Sequence, residues 1–223
     1  MKKLIFLLSM LLSSVLYAQN SREHTVGEFS TVKVYDLINL TMIKSNENKV
    51  SITGSNRNDV VITNKNGTLK IRMNLEESFD GNNTRVILYY TSVDVIDANE
   101  GANVIVNDSL DQYEIDLKVQ EGAEITATIK STYANFRAVT GGIINVNGNS
   151  KNQDIAIYTG GIFNGKTFVT ERSEVSVNAA GEAHINATEL VEASVKVGGN
   201  IYIYGNPNTI NESRVLGGTI KRM

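Results

Sequence analysis

Nine carboxylates crowd one stretch of the chain: Asp94, Asp97, Glu100, Asp108, Asp111, Glu114, Asp116, Glu121 and Glu124. Two or three of them converging on a groove could cleave a polysaccharide, provided one were held as an acid in a poorly solvated pocket. The spacing argues against it. Asp97, Lys118 and Arg137 recur at intervals of 21 and 19 residues, so acids and bases alternate in one column. Such a column reads as a solvated charge ladder, which contributes little energy but helps register. A calcium site among the same acids is the other reading left open. Asp80-Gly81-Asn82-Asn83 lacks the remaining ligands of a calcium loop and reads as a turn.

Other chemistry is sparse. The two histidines, His24 and His184, have no partners at metal-ligand or triad spacing. No G-x-S-x-G, P-loop or H-E-x-x-H pattern occurs, and no residue set calls for a cofactor. Tyr158, Tyr202 and Tyr204 point outward and could stack on a sugar or peptide, or join an oligomer contact; they could equally shield strand backbone. Asn107, Asn147 and Asn186 stand at equivalent bends, where stacked amides could bond from coil to coil. These residues are the ligand-binding and structural candidates; no catalytic or metal-binding residue is assigned.

The element that must position them is a repeat. From Ile96 to Met223 an alternating apolar run, a small pair and a second alternating run are written seven times. The pairs are Gly101-Ala102, Gly122-Ala123, Gly141-Gly142, Gly160-Gly161, Ala180-Gly181, Gly198-Gly199 and Gly217-Gly218, spaced by 21, 19, 19, 20, 18 and 19. A period near twenty marks a solenoid. Five residues before the pairs stand Ile96, Leu117, Phe136, Ile155, Val175 and Ala193; three after stand Val104, Ile125, Ile144, Phe163, Ala183, Ile201 and Ile220. Residues two apart share one side of a strand, so each copy predicts two short strands facing one core, with the small pair at the bend between them. Ile157, Val177 and Ile144 should then be buried and Ala156, Ser176 and Asn145 exposed. The consensus lacks the leucines of a leucine-rich repeat. What fits is an all-β, single-stranded parallel β-helix of about seven coils of ~19 residues, a rod on the order of 34 Å long.

The ends complete the plan. Lys2-Lys3, an apolar run from Leu4 to Leu12 and the small residue Ala18 read as a secretory signal peptide over 1–18, too short to span a bilayer. Removing those 18 residues and two lysines from 223 residues and 21 basic side chains leaves 205 residues with 19 bases against 24 acids. A formal charge near −5 argues against nucleic acid and anionic membrane surfaces as partners. No cysteine is present, which excludes disulfides, thiolate metal sites and a lipidated cysteine together. From Phe29 to Tyr90 alternating runs continue without small pairs, and Asn66-Gly67 between two of them signals a hairpin. We therefore expect one domain over 19–223, with irregular strands over 19–92 capping or starting the solenoid and regular coils over 93–223.

Phe29-Ser30-Thr31-Val32-Lys33-Val34, Asn66-Gly67-Thr68-Leu69-Lys70-Ile71, the Gly/Ala pairs within alternating valines, and Ile201-Tyr202-Ile203-Tyr204-Gly205-Asn206-Pro207 together resemble the putative auto-transporter adhesin, head GIN domain family, common in Bacteroidetes. The resemblance covers essentially the whole mature chain. It implies a right-handed β-helix, export to the periplasm, outer-membrane surface or medium, and no established catalytic residues. It therefore favours a non-enzymatic, adhesin-like binding protein, with a glycan or a cell-surface protein as partner and a homo-oligomer as a further option. The competing readings are a polysaccharide lyase or glycosidase and a structural part of the cell envelope.

Overall fold

Alternating apolar residues can be buried only if every second side chain meets the same core, and this chain meets that demand by coiling. The structure, a computed structural model, describes residues 21–223; the leader expected at 1–18 and its cleavage bond lie outside the described residues. Among the described residues the fold is all-β, with no helix and 66% strand, a β-solenoid of about seven turns. The N-terminal part holds β1 (Arg22–Thr25), β2 (Thr31–Val34), β3 (Asn39–Lys44), β4 (Lys49–Gly54), β5 (Val60–Lys65), β6 (Thr68–Met73) and β7 (Thr84–Tyr90). The repeat holds β8 (Val95–Ala98), β9 (Asn103–Val106), β10 (Leu110–Val119), β11 (Glu124–Ala138), β12 (Ile143–Ile157), β13 (Ile162–Val177), β14 (Glu182–Val197), β15 (Asn200–Tyr204), β16 (Thr209–Leu216) and β17 (Thr219–Arg222).

The columns read from sequence are rows of the parallel sheets. Ile96, Leu117, Phe136, Ile155, Val175 and Ala193 pair in succession, as do Ile125, Ile144, Phe163, Ala183, Ile201 and Ile220. All are buried except Ile220, which is half-buried at the C-terminal end. The Phe136 ring packs on Phe163 and Phe168, with centroids 4.8 and 5.7 Å apart, and fills the middle of the core. The outward residues Ala156, Ser176 and Asn145 are half-buried rather than exposed, because the rows above and below lie only about 4.8 Å away and shield them. A second difference concerns strand length. β11 to β14 are single strands of 15 or 16 residues, each uniting the second half of one copy with the first half of the next. The small pair is thus the one break in strand per coil there; the opposite corner is turned within a continuous strand, with a register shift between Thr170 and Arg172 where β13 pairs β14.

At that break the two members of a pair do different things. Thr159 and Gly160 both adopt positive φ, 48° and 76°, and Gly161 N–H donates to the Tyr158 carbonyl at 3.1 Å, which is the arrangement of a type I′ turn. A Cβ on Gly160 would meet nothing within 4 Å, so its glycine answers a conformational need alone. A Cβ on Gly161 would lie 2.4 Å from the Ala138 carbonyl oxygen, so that position is small because the coil below is touching it. The bends are also tied to one another, through Gly122 N–H to Thr140 O at 3.1 Å and Gly141 N–H to Thr159 O at 3.2 Å.

In the N-terminal part, order in space departs from order in sequence. β2 pairs in parallel with both β6 and β8, and β3 with both β7 and β9. The first coil of the chain, β2–β3, is therefore sandwiched between the coil β6–β7 and the coil β8–β9. Antiparallel strands close this end of the stack: β4 lies on β7, β1 on β4, and β5 on β6 through the Asn66-Gly67 hairpin. The bend of the first coil is Asp36-Leu37, with φ of 59° and 60°, and Leu37 N–H donates to Glu100 O at 2.9 Å. The buried Asp36 carboxylate accepts from Met73 N–H at 2.9 Å and Phe79 N–H at 3.2 Å, holding the loop that stands between β6 and β7.

Two expected ladders come out differently. Lys33, Asp97, Lys118 and Arg137 do share one row, but Asp97 pairs with Lys33 at 2.7 Å, and Lys118 turns to Asp116 of its own strand at 3.2 Å. Asn107, Asn147 and Asn186 make no amide stack. They sit in alternate coils, and the register places Asn186 in the row of Val169 and Asn149, not in that of Asn147. Asn147 bonds instead to the Thr167 hydroxyl, and Asn186 donates to the Lys166 carbonyl at 2.9 Å.

Candidate functional site

The corner opposite the small pairs is built from hydroxyls. Where β11, β12 and β13 turn it, Ser131, Ser150 and Thr170 point in, joined by Gln153 and Ser173 from the following stretch. Ser131 donates to Ser150 at 3.0 Å, and the Gln153 amide donates to Thr170 at 3.2 Å and to Ser173 at 2.5 Å. Bonding among these groups offsets part of the cost of placing them inside, although the buried Gln153 Oε1 has no hydrogen-bond partner, and it ties the corner together across coils.

The residues between them face out and line a groove of about 660 Å³ that runs across the coils. Its walls carry Lys130 and Lys151, Asp111 and Glu171, and the amide of Asn149. Lys130 and Asp111, in successive coils, lie 3.1 Å apart, both largely exposed. Tyr113 reaches the groove with 68% of its surface exposed, and its ring lies 5.5 Å from that of Tyr133, which is 40% exposed. Beyond Tyr133 a second hollow of about 260 Å³ holds Arg172, Asp154, Glu174 and Glu192. The last three follow one another in a row, and partial desolvation pushes the carboxyl of Asp154, a solvent-exposed residue, upward from its ordinary value. Chemically the surface offers aromatic rings, charges and amides on strand ladders, open to solvent.

The three tyrosines expected to bind lie elsewhere. Tyr202 and Tyr204 share the face just after the small pairs with His184, whose ring stacks on Tyr202 at 4.8 Å and 18°. His184 Nε2 lies 2.6 Å from Glu182 Oε1 and Nδ1 lies 3.2 Å from the Tyr204 hydroxyl. With Nε2–H donating to the carboxylate, a neutral imidazole accepts at Nδ1 from Tyr204. Lys166 sits 4.9 Å over the Tyr204 ring. His184 joins no metal cluster among the described residues; its partners are Glu182, two residues back on the same side of β14, and Tyr204, which only the coil brings near. Tyr158 is in a bend, with the Arg137 guanidinium 4.4 Å over its ring. Each expected tyrosine is half-buried with a protein group against its ring, whereas Tyr113 and Tyr133 are exposed. The signal that could have found those two is their spacing of 20 residues, close to one coil. Among the acids named from sequence, Asp97 and Asp116 are bridged to lysines, and no group of three or more His, Cys, Asp or Glu among the described residues is set to hold a metal ion.

The same architecture recurs in solved structures. A putative adhesin from Bacteroides fragilis NCTC 9343 superposes with a TM-score of 0.84 at 18% identity, covering 92% of this chain and 96% of that one. A putative adhesin from Parabacteroides distasonis ATCC 8503 gives 0.71 at 20% identity over the same shares, and a putative lipid binding protein from the same strain gives 0.66 at 15%, again over 92% and 96%. At these identities the likeness is one of fold. No functionally curated protein matches the chain. The family described as "Putative auto-transporter adhesin, head GIN domain" matches residues 28–207, and the chain belongs to that family.

Proposed function

We propose that this is an exported, non-enzymatic, adhesin-like binding protein, and that its ligand is an extended glycan lying along the hydroxyl-built corner. The observation that carries this reading is the groove of about 660 Å³ with the exposed Tyr113 and Tyr133 rings beside it. A solenoid repeats its surface every coil, so one binding element recurs along the axis and suits a polymer. Family membership supports the adhesin-like role and placement at the cell surface. The leader-like start of the sequence supports export, and no helix among the described residues is long and apolar enough to cross a membrane. The lipid binding named for one structural relative would call for an enclosed apolar cavity, and the hollows around Tyr113, Asp154 and His184 are open to solvent.

The test is a glycan array probed with residues 19–223, followed by titration of the best polysaccharide and analysis for released sugar. Replacing Tyr113 and Tyr133 by alanine should weaken binding by about tenfold or more, since a lost ring contact is worth on the order of 1 kcal/mol. Unchanged affinity in that variant would remove the groove from the proposal. One observation favours an enzyme as the second reading, the raised Asp154 acid beside Glu174 and Glu192. Sugar release by the purified protein, abolished by Asp154→Asn, would establish that reading in place of binding alone.

A further inference from the structure

The C-terminal end of the solenoid has a free edge on both faces. β16 pairs with β14 and β17 with β15, and neither has a strand on its other side among the described residues. Unpaired edges template pairing with another chain. The inward rows change character here too. Ala193 and Val195, both buried, are followed in their rows by Glu212 and Arg214, both exposed. A further apolar coil could not stack on such a layer. Glu212 and Arg214 line one open hollow with Gly217 and Gly218, and among the described residues neither has an ion-pair partner.

The order of residues along β16 gives the occupant. Ile210, Glu212, Arg214 and Leu216 have the same parity, with Ser213 at their centre. A second copy turned about a two-fold axis normal to the sheet would lay its β16 antiparallel to this one and keep inward faces on the same side. Facing residues must then have like parity, so the axis passes through a residue. Centred on Glu212 or on Arg214, the pairing would set like charges against each other. Centred on Ser213, it sets Glu212 against the second copy's Arg214, Arg214 against its Glu212, and Ile210 against its Leu216, twice over. The strand is complementary to itself in charge and in apolar ends, as an isologous interface requires. We infer that this edge is a two-fold docking surface for a second copy of the chain, with the Glu212–Arg214 pairs selecting the register. Ion pairs enclosed between two cores add specificity more than affinity, while the exposed Leu216 and Val215 supply apolar area beside them. A pair formed this way would place two copies of each side groove on one body.

The test is sedimentation equilibrium of residues 19–223 over the widest attainable concentration range. The unaltered protein should show a monomer–dimer equilibrium. Glu212→Arg and Arg214→Glu should each raise the dissociation constant by about tenfold or more, because each sets like charges together. The exchange Glu212→Arg with Arg214→Glu should restore the dimer, and an equimolar mixture of the two single variants should form heterodimers. Since both residues are exposed, circular dichroism should show every variant folded. A monomer at all concentrations, a dimer indifferent to the single changes, or an open series of head-to-tail oligomers would each overturn the inference.

Discussion

Each coil turns two corners, and they are made on opposite principles. At the small-pair corner the backbone leaves the ladder through two residues of positive φ, and the coil beneath touches it so closely that Gly161 has no room for a Cβ. At the other corner the strands run on, held from inside by Ser131, Ser150, Thr170 and Gln153 with the inward Gly148 pressed on the Ile129 carbonyl, and the outward Asn149, Lys151 and Glu171 keep negative φ. The tight corner constrains residue type, and the hydroxyl-built corner constrains only alternate residues. Sequence can vary most freely where the fold asks least, and the groove, the exposed tyrosines and the mixed charges lie at this second corner.

The comparison can be broken first at the core that both corners serve. Ile157→Asp would place a carboxylate among side chains with no solvent contact and should cost several kcal/mol, enough to abolish the cooperative thermal transition seen by circular dichroism. Within the tight corner, Gly161→Val should cost roughly 3 kcal/mol or more, because its Cβ alone would sit 2.4 Å from the Ala138 carbonyl oxygen. Gly160→Val should cost about 1–3 kcal/mol through backbone strain, and Gly160→Asn less, since asparagine tolerates positive φ. Equal losses at the two glycines in chemical denaturation would show that crowding and conformation are not divided between them as described.

A smaller effect is expected where the tight corner carries acids. The Glu100 carboxyl is pushed above its ordinary 4.5, chiefly by burial and then by the neighbouring Asp36 and Glu121 carboxylates. A raised folded value means that the folded state holds more protons than the unfolded one in this range. The contribution is then favourable at low pH and is lost as pH rises from the ordinary value through the raised one. Glu100→Gln should therefore raise the melting temperature at pH 7 by an amount equivalent to under about 1 kcal/mol, and change it little at pH 3. The reverse order would contradict the assigned cause. The smallest stability effect belongs to the open corner: Lys151→Ala should leave stability within about 0.5 kcal/mol of the parent while weakening glycan binding. A large loss of stability there would make the groove a structural element instead.

How much of this was legible in the sequence follows the same division. The solenoid, its inward rows and the Asn66-Gly67 hairpin were readable because each rests on a local rule, period two along a strand or positive φ at a turn. The position of the β2–β3 coil between two later coils was not, because Asp36-Leu37 makes a bend without a small pair and because spatial order comes from which edges pair. Partners across coils were also hidden. Tyr202 and Tyr204 reach His184 only through the coil register, Lys118 leaves the Asp97 row for Asp116, and Tyr113 and Tyr133 meet only because their coils adjoin.

By itself the sequence determined that this chain coils, which side chains its coils bury, and where each coil must bend, since burial of alternate apolar residues and left-handed turns are settled within a few neighbours. The tertiary structure alone decided which outward residues face one another and which corner stays open. A row is set by register between coils about twenty residues apart, and a bulge such as the one between Asn145 and Asn147 shifts every pairing beyond it. Whether a polar side chain supports the corner or lines the groove depends on that register, and no stretch of sequence short enough to read locally contains it.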